Sequence, residues 1–417
     1  MATAAGHADR AIPLKNYCTG LLLPGERKSV EPLAARLAPD NVSRMHQSLH
    51  HFVADAPWSD ESVLHQVCQS VLPAMQKHGR VVCWIVDDTG FPKKGKHSVG
   101  VARQYCGQVG KQDNCQVAVS LSVASGSSSL PVAYRLYLPE AWANDKKRKK
   151  EAGIPKEIQF QTKPQIALDQ IRHAAEQDVS RGVVVADAGY GNDGQFRSGV
   201  TKLGLEYVVG VQSSTTVWKP GTEPLPPSPR KRMGRPPRLV RRDKDHQPVS
   251  VKELALSLPT DAWATVNWRQ GTRQKLRSRF AAVRVRPAHR DYWEAEPHAE
   301  EWLLMEGPKG EAEPAKYWLS TLPAGTKLKD LVATAKQRWI IERDYQELKQ
   351  ELGLGHYEGR GWRGFHHHAT LCIAAYGFLM AERTRFSPSG HTGILGLPTP
   401  EPAPGFRPRG SRPTRAA

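Results

Sequence analysis

Two short apolar runs in this chain each finish on an aspartate. Val81-Val82-Cys83-Trp84-Ile85-Val86 leads into Asp87-Asp88, and Gly182-Val183-Val184-Val185-Ala186 leads into Asp187. Runs of this length and β-branched content read as strands buried on both faces. In open α/β sheets the carboxyl ends of strands line the crevice that holds ligands. Successive strand residues face opposite sides, so only one of Asp87 and Asp88 can enter such a crevice, and the residues alone leave both open. A third carboxylate stands in a helical pattern, where Arg338, Glu342, Tyr345 and Lys349 share one stripe. Beside it, Ile341, Leu348 and Leu352 form an apolar seam that would pack against the sheet.

Three carboxylates meeting in one crevice repel one another, and at least one would keep its proton unless a cation neutralised the site. Oxygen donors of this kind suit magnesium or manganese. Two such ions roughly 3.5–4 Å apart activate a water or a 3′-hydroxyl on one side of a phosphorus and stabilise the departing oxygen on the other. That is nuclease or strand-transfer chemistry without a covalent enzyme intermediate. The structural alternative for each residue taken alone is Asp88 and Asp187 as loop caps, with Glu342 in a helix ion pair to Arg338.

The elements that must position these residues follow from the apolar pattern. Helices Val30 to Leu37 and Val42 to Val53, joined through Ala38-Pro39-Asp40-Asn41 with Asn41 placed as a cap, make a candidate helix-turn-helix. With a third helix over Asp60 to Lys77 they form a small helical N-terminal domain, residues 1–78, with a DNA-binding role. An α/β domain opens at residue 79. Its first part, 79–211, adds strand candidates Cys115 to Val123 and Leu130 to Leu138, a charged loop Asn144 to Glu151, and a helix from Lys163 to Gln177. Its second part, 317–384, holds a strand at Tyr317 to Thr321, a helix from Leu328 to Leu352 stopped by Gly353, and an apolar helix from Phe365 to Arg383. Between them, 212–316 reads as a β-rich insertion with a basic, Pro-rich linker, and 385–417 as a disordered basic tail.

The formal charge is +18, from 59 Lys and Arg against 41 Asp and Glu, and a polyanion is the natural counterpart of such a field. With 39% hydrophobic residues over 417 positions, the chain can bury a core without staples. Its six cysteines lack paired short spacing, which argues against a disulfide framework or a four-thiolate zinc site. There is no apolar run of eighteen residues, and Met1 to Lys15 lacks the pattern of a signal peptide. The expectation is a soluble, cytoplasmic protein with no membrane association.

Three stretches carry a family resemblance: Trp84-Ile85-Val86-Asp87-Asp88-Thr89-Gly90, Val185-Ala186-Asp187-Ala188-Gly189-Tyr190-Gly191, and Arg338-Trp339-Ile340-Ile341-Glu342 leading to Lys349. The chain resembles a DDE transposase of a bacterial insertion sequence. The resemblance implies a ribonuclease H-like mixed sheet with flanking helices, interrupted by a β-rich insertion. It also implies two magnesium or manganese ions held by Asp88, Asp187 and Glu342, with Asp88 preferred over Asp87 because the family's first Asp precedes a Thr. Arg338, Glu342 and Lys349 fit a Tyr-Arg-Glu-Lys signature whose Tyr falls on Ala335 here. The implied activity is binding of terminal inverted repeats, hydrolytic cleavage of double-stranded DNA and transfer of 3′-hydroxyl ends to target DNA by a homodimer in the bacterial nucleoid. A catalytically silent DNA-binding regulator and a nuclease without strand transfer are the rivals.

Further residues would meet DNA. Arg338 and Lys349 share the Glu342 stripe; Lys93, Lys94 and Lys96 follow the first Asp; Arg360 and Arg363 follow the Glu helix. Trp318 corresponds by position to an aromatic on which relatives stack a flipped base, the alternative being a core tryptophan in an apolar strand. Arg235, in the stretch Arg230 to Arg238, resembles the Gly-Arg-Pro core of minor-groove binders. His366, His367 and His368 point in different directions on a helix, so they cannot share a metal and are DNA-contacting or structural.

Overall fold

Apolar runs set the centre of the computed structural model, which describes residues 3–77, 79–125, 128–228, 237–270, 275–308, 310–311 and 313–385. Helices α1 (Ala11–Leu22), α2 (Val30–Leu37), α3 (Val42–His50) and α4 (Asp60–Lys77) come first. A meander follows, with strands β1 (Val81–Pro92), β2 (Ala102–Cys106), β3 (Lys111–Ser125) and β4 (Ser129–Leu136). Then come α5 (Glu140–Ala143), α6 (Lys146–Glu151), α7 (Lys163–Glu176), β5 (Val183–Ala186), α8 (Ala188–Gly191), α9 (Gly194–Lys202) and β6 (Tyr207–Val211). The middle of the chain contributes β7 (Thr216–Trp218), β8 (Val249–Ser250), α10 (Val251–Ser257), β9 (Ala264–Gln270), β10 (Lys275–Pro287) and β11 (Glu301–Gly307). Last are β12 (Lys316–Ser320), α11 (Leu328–Ala335), α12 (Trp339–Gln346) and α13 (Trp362–Arg385).

The strands lie in one mixed sheet of order β2-β3-β1-β5-β6-β12-β11-β10-β7-β8, with β4 on β3 and β9 on β10. The pairs β1 to β5 and β5 to β6 are parallel. They are covered on both faces, which is why their sequences are continuous rather than alternating apolar runs. One face carries Trp84, Val86, Val184 and Ala186 against α7, α13 and the N-terminal helices in a single continuous core. The other carries Cys83, Ile85 and Val185 against Ile340 and Ile341 of α12, while Val208, Leu304 and Trp318 pack on Leu331 and Val332 of α11.

Several expectations are modified. Strand β1 does not stop at Asp87-Asp88: its pairing with β3 continues through Asp87↔Ser120 and Asp88↔Val119 to Pro92↔Cys115. The charged stretch 144–151 is not a loop but contains α6, whose start is capped by the Asp145 carboxylate accepting from the Arg148 amide. Asn41 sits at the N-cap of α3 without a side-chain capping bond, because Pro39–Asn41 forms a tight 3-10 turn there. The strands of 212–316 continue the main sheet, with β11 pairing to β12. The N-terminal helices share their core with the sheet. At Gly377 of α13 a Cβ would come within 3.0 Å of Val67 and 3.1 Å of Val71, so the absence of a side chain lets α13 lie close against α4. Arg235 and residues 386–417 lie outside the described residues.

Candidate active site

The parallel pairing of β1 with β5 puts the neighbouring aspartates on opposite faces. Cys83 pairs with Val183 and Ile85 with Val185. Two residues further along each strand, on the same face, Asp87 and Asp187 follow at the same level, on backbones about 4.8 Å apart. That face is the one packed on α12, which carries Glu342. Asp88 points to the other side, where its carboxylate accepts from Lys163 at 2.8 Å and from the Tyr190 hydroxyl at 3.4 Å. β1 keeps its alternation through both aspartates, so Asp87 shares the face of Asp187 and of α12 with its Glu342, and Asp88 falls on the face of Trp84 and Val86.

One guanidinium sits among the three carboxylates. Arg338 donates to Asp87 Oδ2 at 2.7 Å and to Glu342 Oε1 at 3.2 Å. Burial disfavours its charge, but Asp87, Asp187 and Glu342 together hold its pKa above the ordinary value. Burial pushes the Asp87 carboxyl up to about 7; Arg338 opposes this, while the charge of Asp187 adds to it. The side chain of Asp87 is 13% exposed and that of Glu342 65%, so the site runs from the sheet out to solvent.

The turn after β5 is built around Asp187. The Gly189 amide donates to Asp187 Oδ1 at 2.8 Å, leaving Oδ2 for a further partner. A Cβ at Gly191 would fall 2.0 Å from the Gly210 carbonyl, and one at Gly210 would fall 2.9 Å from the Ala188 amide, so the turn lies directly on β6. The capping role foreseen as the structural alternative is thus real for Asp187, and it coexists with a place in the cluster.

Two contacts fix the helix bearing Glu342. The Tyr345 hydroxyl is 2.6 Å from Ser120 Oγ, and Ser120 is the β3 residue paired with Asp87. On the adjacent side of the helix, fully buried Asp344 accepts from Tyr376 of α13 at 2.9 Å and from Ser129 of β4. Sequence reasoning missed Asp344, although it stands three residues after Ile341 and four before Leu348, on the apolar seam itself. It also missed Lys163 as the partner of Asp88.

Lys349 is not beside Glu342. From Glu347–Glu351 the helix widens to π geometry, which slows the rotation per residue and turns the stripe aside. Its ammonium donates to the Gly90 carbonyl at 2.8 Å and to Gln108 at 3.2 Å, and burial pushes its pKa down to about 8. Lys93 donates to the Tyr357 carbonyl at 2.7 Å, and Arg363 to the Asp55 carbonyl at 2.8 Å. Lys94 and Arg360 are exposed. Trp318 is buried between Phe280, Leu304 and Leu331, with the Lys336 ammonium 5.3 Å from its ring centre, so it is a core residue with no face open for stacking. The three histidines are structural. His367 stacks on Trp58 at 3.6 Å, His368 joins Tyr17 to Gly353, and His366 accepts from the Leu136 amide.

Among the described residues no three acidic, His or Cys side chains already stand as a ready-made metal cluster. The donor set nevertheless fits a hard cation. Three carboxylates from separate elements converge on one positive charge, and burial, with the charge of Asp187 adding to it, pushes Asp87 toward its protonated form.

A family model described as DDE superfamily endonuclease matches residues 1–275 of this chain. The chain belongs to that family. The match to the DDE superfamily covers both strand aspartates and ends before Glu342. A probable transposase for insertion sequence element IS701 from Microchaete diplosiphon is 31% identical over 190 residues, which is 45% of this chain and 46% of that protein. The resemblance to insertion-sequence DDE transposases read from the motifs is thereby borne out, although the match spans about half of the relative's length. A cryo-EM structure of a piggyBac transposase synaptic complex with hairpin DNA aligns with a TM-score of 0.42 at 9% identity, over 91% of this chain and 66% of that one. No helix among the described residues is long and apolar enough to cross a membrane.

Proposed function

We propose that this DDE family member is an insertion-sequence transposase that cleaves DNA at its element's terminal inverted repeats and transfers the 3′-hydroxyl ends to target DNA. The observation that supports this most directly is the convergence of Asp87, Asp187 and Glu342, from two neighbouring parallel strands and a helix packed across them, on one cation. In this reading the domain is ribonuclease H-like. Asp87, Asp187 and Glu342 would hold magnesium or manganese, which when bound supplies activation of the attacking water or 3′-hydroxyl and stabilisation of the departing oxygen.

The remaining steps belong to the protein. Gly189 occupies Asp187 Oδ1, which leaves Oδ2 available to the site. Tyr345 and Asp344 fix α12, so that Glu342 is presented over the strand ends. Arg338 neutralises the carboxylates in the absence of other cations and is placed to meet a scissile phosphate once they are otherwise engaged. The pair α2 and α3, separated by a short turn, would contact the terminal repeats, and two copies would act together at the paired ends.

The test is a supercoiled plasmid carrying the cognate ends, incubated with magnesium and the wild type or Glu342→Gln. The wild type should cut at the ends and produce joined products, and the variant should bind the ends without cutting. Binding without cleavage by the wild type would mark a regulator; cutting without end preference or joining would mark a nuclease.

A further inference from the structure

The stretch Lys146-Lys147-Arg148-Lys149-Lys150 places five consecutive cations on helix α6, where like charges three and four positions apart repel. The fold holds them there by other means. Arg148 lies over the Trp142 ring at 3.7 Å and donates to the Lys96 carbonyl at 3.2 Å, while Lys149 donates to the Ile158 carbonyl at 2.6 Å. The Trp142 indole is itself anchored to the Val101 carbonyl at 2.8 Å. The loop after β1 is tied to the same place, since the Val99 amide donates to the Arg360 carbonyl and the Trp362 amide to the Ala152 carbonyl. Three segments far apart in sequence thus bring Lys94, Lys96, Lys146, Lys147, Lys150 and Arg360 to one exposed surface. Of the nearby acids, Asp145 caps α6 and Glu151 stands 4.0 Å from Lys147; the other cations on this surface have no ion-pair partner among the described residues.

We infer that this surface is a sequence-blind track for the phosphate backbone of duplex DNA, extending outward from the carboxylate site. The inference rests on the proposed action on DNA. Its reach is appropriate: Lys94 follows Asp87 by seven residues, at most about 24 Å of extended chain, or about seven base pairs of duplex. The side chains are long, exposed ammonium groups on a short helix and a loop, suited to point-charge contact with phosphates rather than to reading base edges. The gathering of so many unpaired cations by specific stacking and carbonyl bonds is explained by a counter-charge that joins them from outside.

The experiment uses the full chain and two duplexes of equal length, one bearing the element's end sequence and one scrambled. Affinity is read by fluorescence anisotropy over a series of KCl concentrations. For Lys146→Gln/Lys147→Gln/Lys150→Gln, both duplexes should weaken equally, on the order of tenfold at physiological salt. The slope of log affinity against log salt should fall by ~0.9 for each phosphate that is no longer neutralised. Arg148 is left in place because it packs on Trp142. Lys94→Gln/Lys96→Gln, on a separate segment, should show the same change, so a triple variant that melts early does not remove the test. A wild-type slope in both variants overturns the track, as does a weakening confined to the end-bearing duplex. If the unmodified chain binds neither duplex with any salt dependence, the reading of the protein as a DNA enzyme fails as well.

Discussion

The carboxylate of Asp87 is held 2.7 Å from the guanidinium of Arg338, which reaches it from the start of α12 across a sequence separation of 251 residues. Asp88, the next residue, is turned to the opposite face and bound to Lys163. The two aspartates thus have separable roles. Asp87→Asn should remove several kcal/mol of stabilisation from the cleavage step, about a thousandfold in rate. Asp88→Asn should leave cleavage within about tenfold of wild type. Rates on a duplex carrying the cleavage site compare them, and the reverse order would return the first ligand position to Asp88.

Burial raises Asp87 to about 7, so a divalent cation must compete with a proton there at neutral pH. Manganese binding should therefore weaken as pH falls below 7 and level off above it. Calorimetric titration at pH 6, 7 and 8 measures this. A flat affinity across that range would exclude Asp87 as a ligand.

Fully buried Asp344 is raised to about 6 by burial, against the bonds from Ser129 and Tyr376. A carboxyl whose folded pKa exceeds the ordinary 3.8 favours the native state at low pH, and that contribution disappears as pH rises through 6. Asparagine can keep both bonds without the charge. Asp344→Asn should hold or raise Tm at pH 7.5, whereas Asp344→Ala, which strands two buried hydroxyls, should cost about 1–3 kcal/mol. Thermal melts of the two variants decide the matter, and an Asn variant as unstable as the Ala variant would contradict it.

Tyr345→Phe removes one hydroxyl from Ser120 and leaves the ring in place. Its stability cost should be near 1 kcal/mol, while cleavage should fall further than end binding because α12 carries Glu342. Parallel declines in binding and cleavage would make Tyr345 merely structural.

His366 and His368 are bonded as neutral rings: His366 accepts from the Leu136 amide, and His368 meets the Tyr17 hydroxyl and the Gly353 carbonyl. Burial lowers both, His368 to about 4 from the ordinary 6.5. Above pH 6.5 their contribution is complete. Below it the unfolded chain takes up protons that the folded rings refuse, so stability is lost progressively between 6.5 and about 4. The drop in Tm between pH 7 and pH 5 should be smaller in His368→Gln than in the wild type, and equal drops would disprove the assignment.

The main elements were legible because their periods are strong: α2, β5 and α7 follow apolar patterns that tertiary packing had no reason to overrule, whereas the single helix expected from Leu328 to Leu352 is broken into α11, a 3-10 turn at Lys336–Arg338, α12 and a π turn. Asp187 and Glu342 could be picked out by their place after a strand and on a stripe beside an apolar seam. What local sequence does not contain is register. That Asp87 rather than Asp88 shares the face of Asp187 needs the pairing of Ile85 with Val185, 100 positions away. The π turn at Glu347–Glu351 that diverts Lys349, and the burial of Trp318 beneath Lys336, likewise arise from packing between distant segments. Charge misled at 144–151, where the stacking of Arg148 on Trp142 holds a helix in a stretch whose composition suggests none.

The burial of three successive histidines of α13 among Tyr17, Val53 and Trp58, together with the fit of α4 at Gly377, leaves the N-terminal helices without a hinge of their own. Any duplex gripped by those helices would meet the carboxylates at an offset determined when the polypeptide folds. The number of base pairs between a recognised sequence and the severed bond would be a dimension of the molecule, as in a fixed caliper, and lengthening the connection between α4 and β1 would disturb the instrument without resetting its scale.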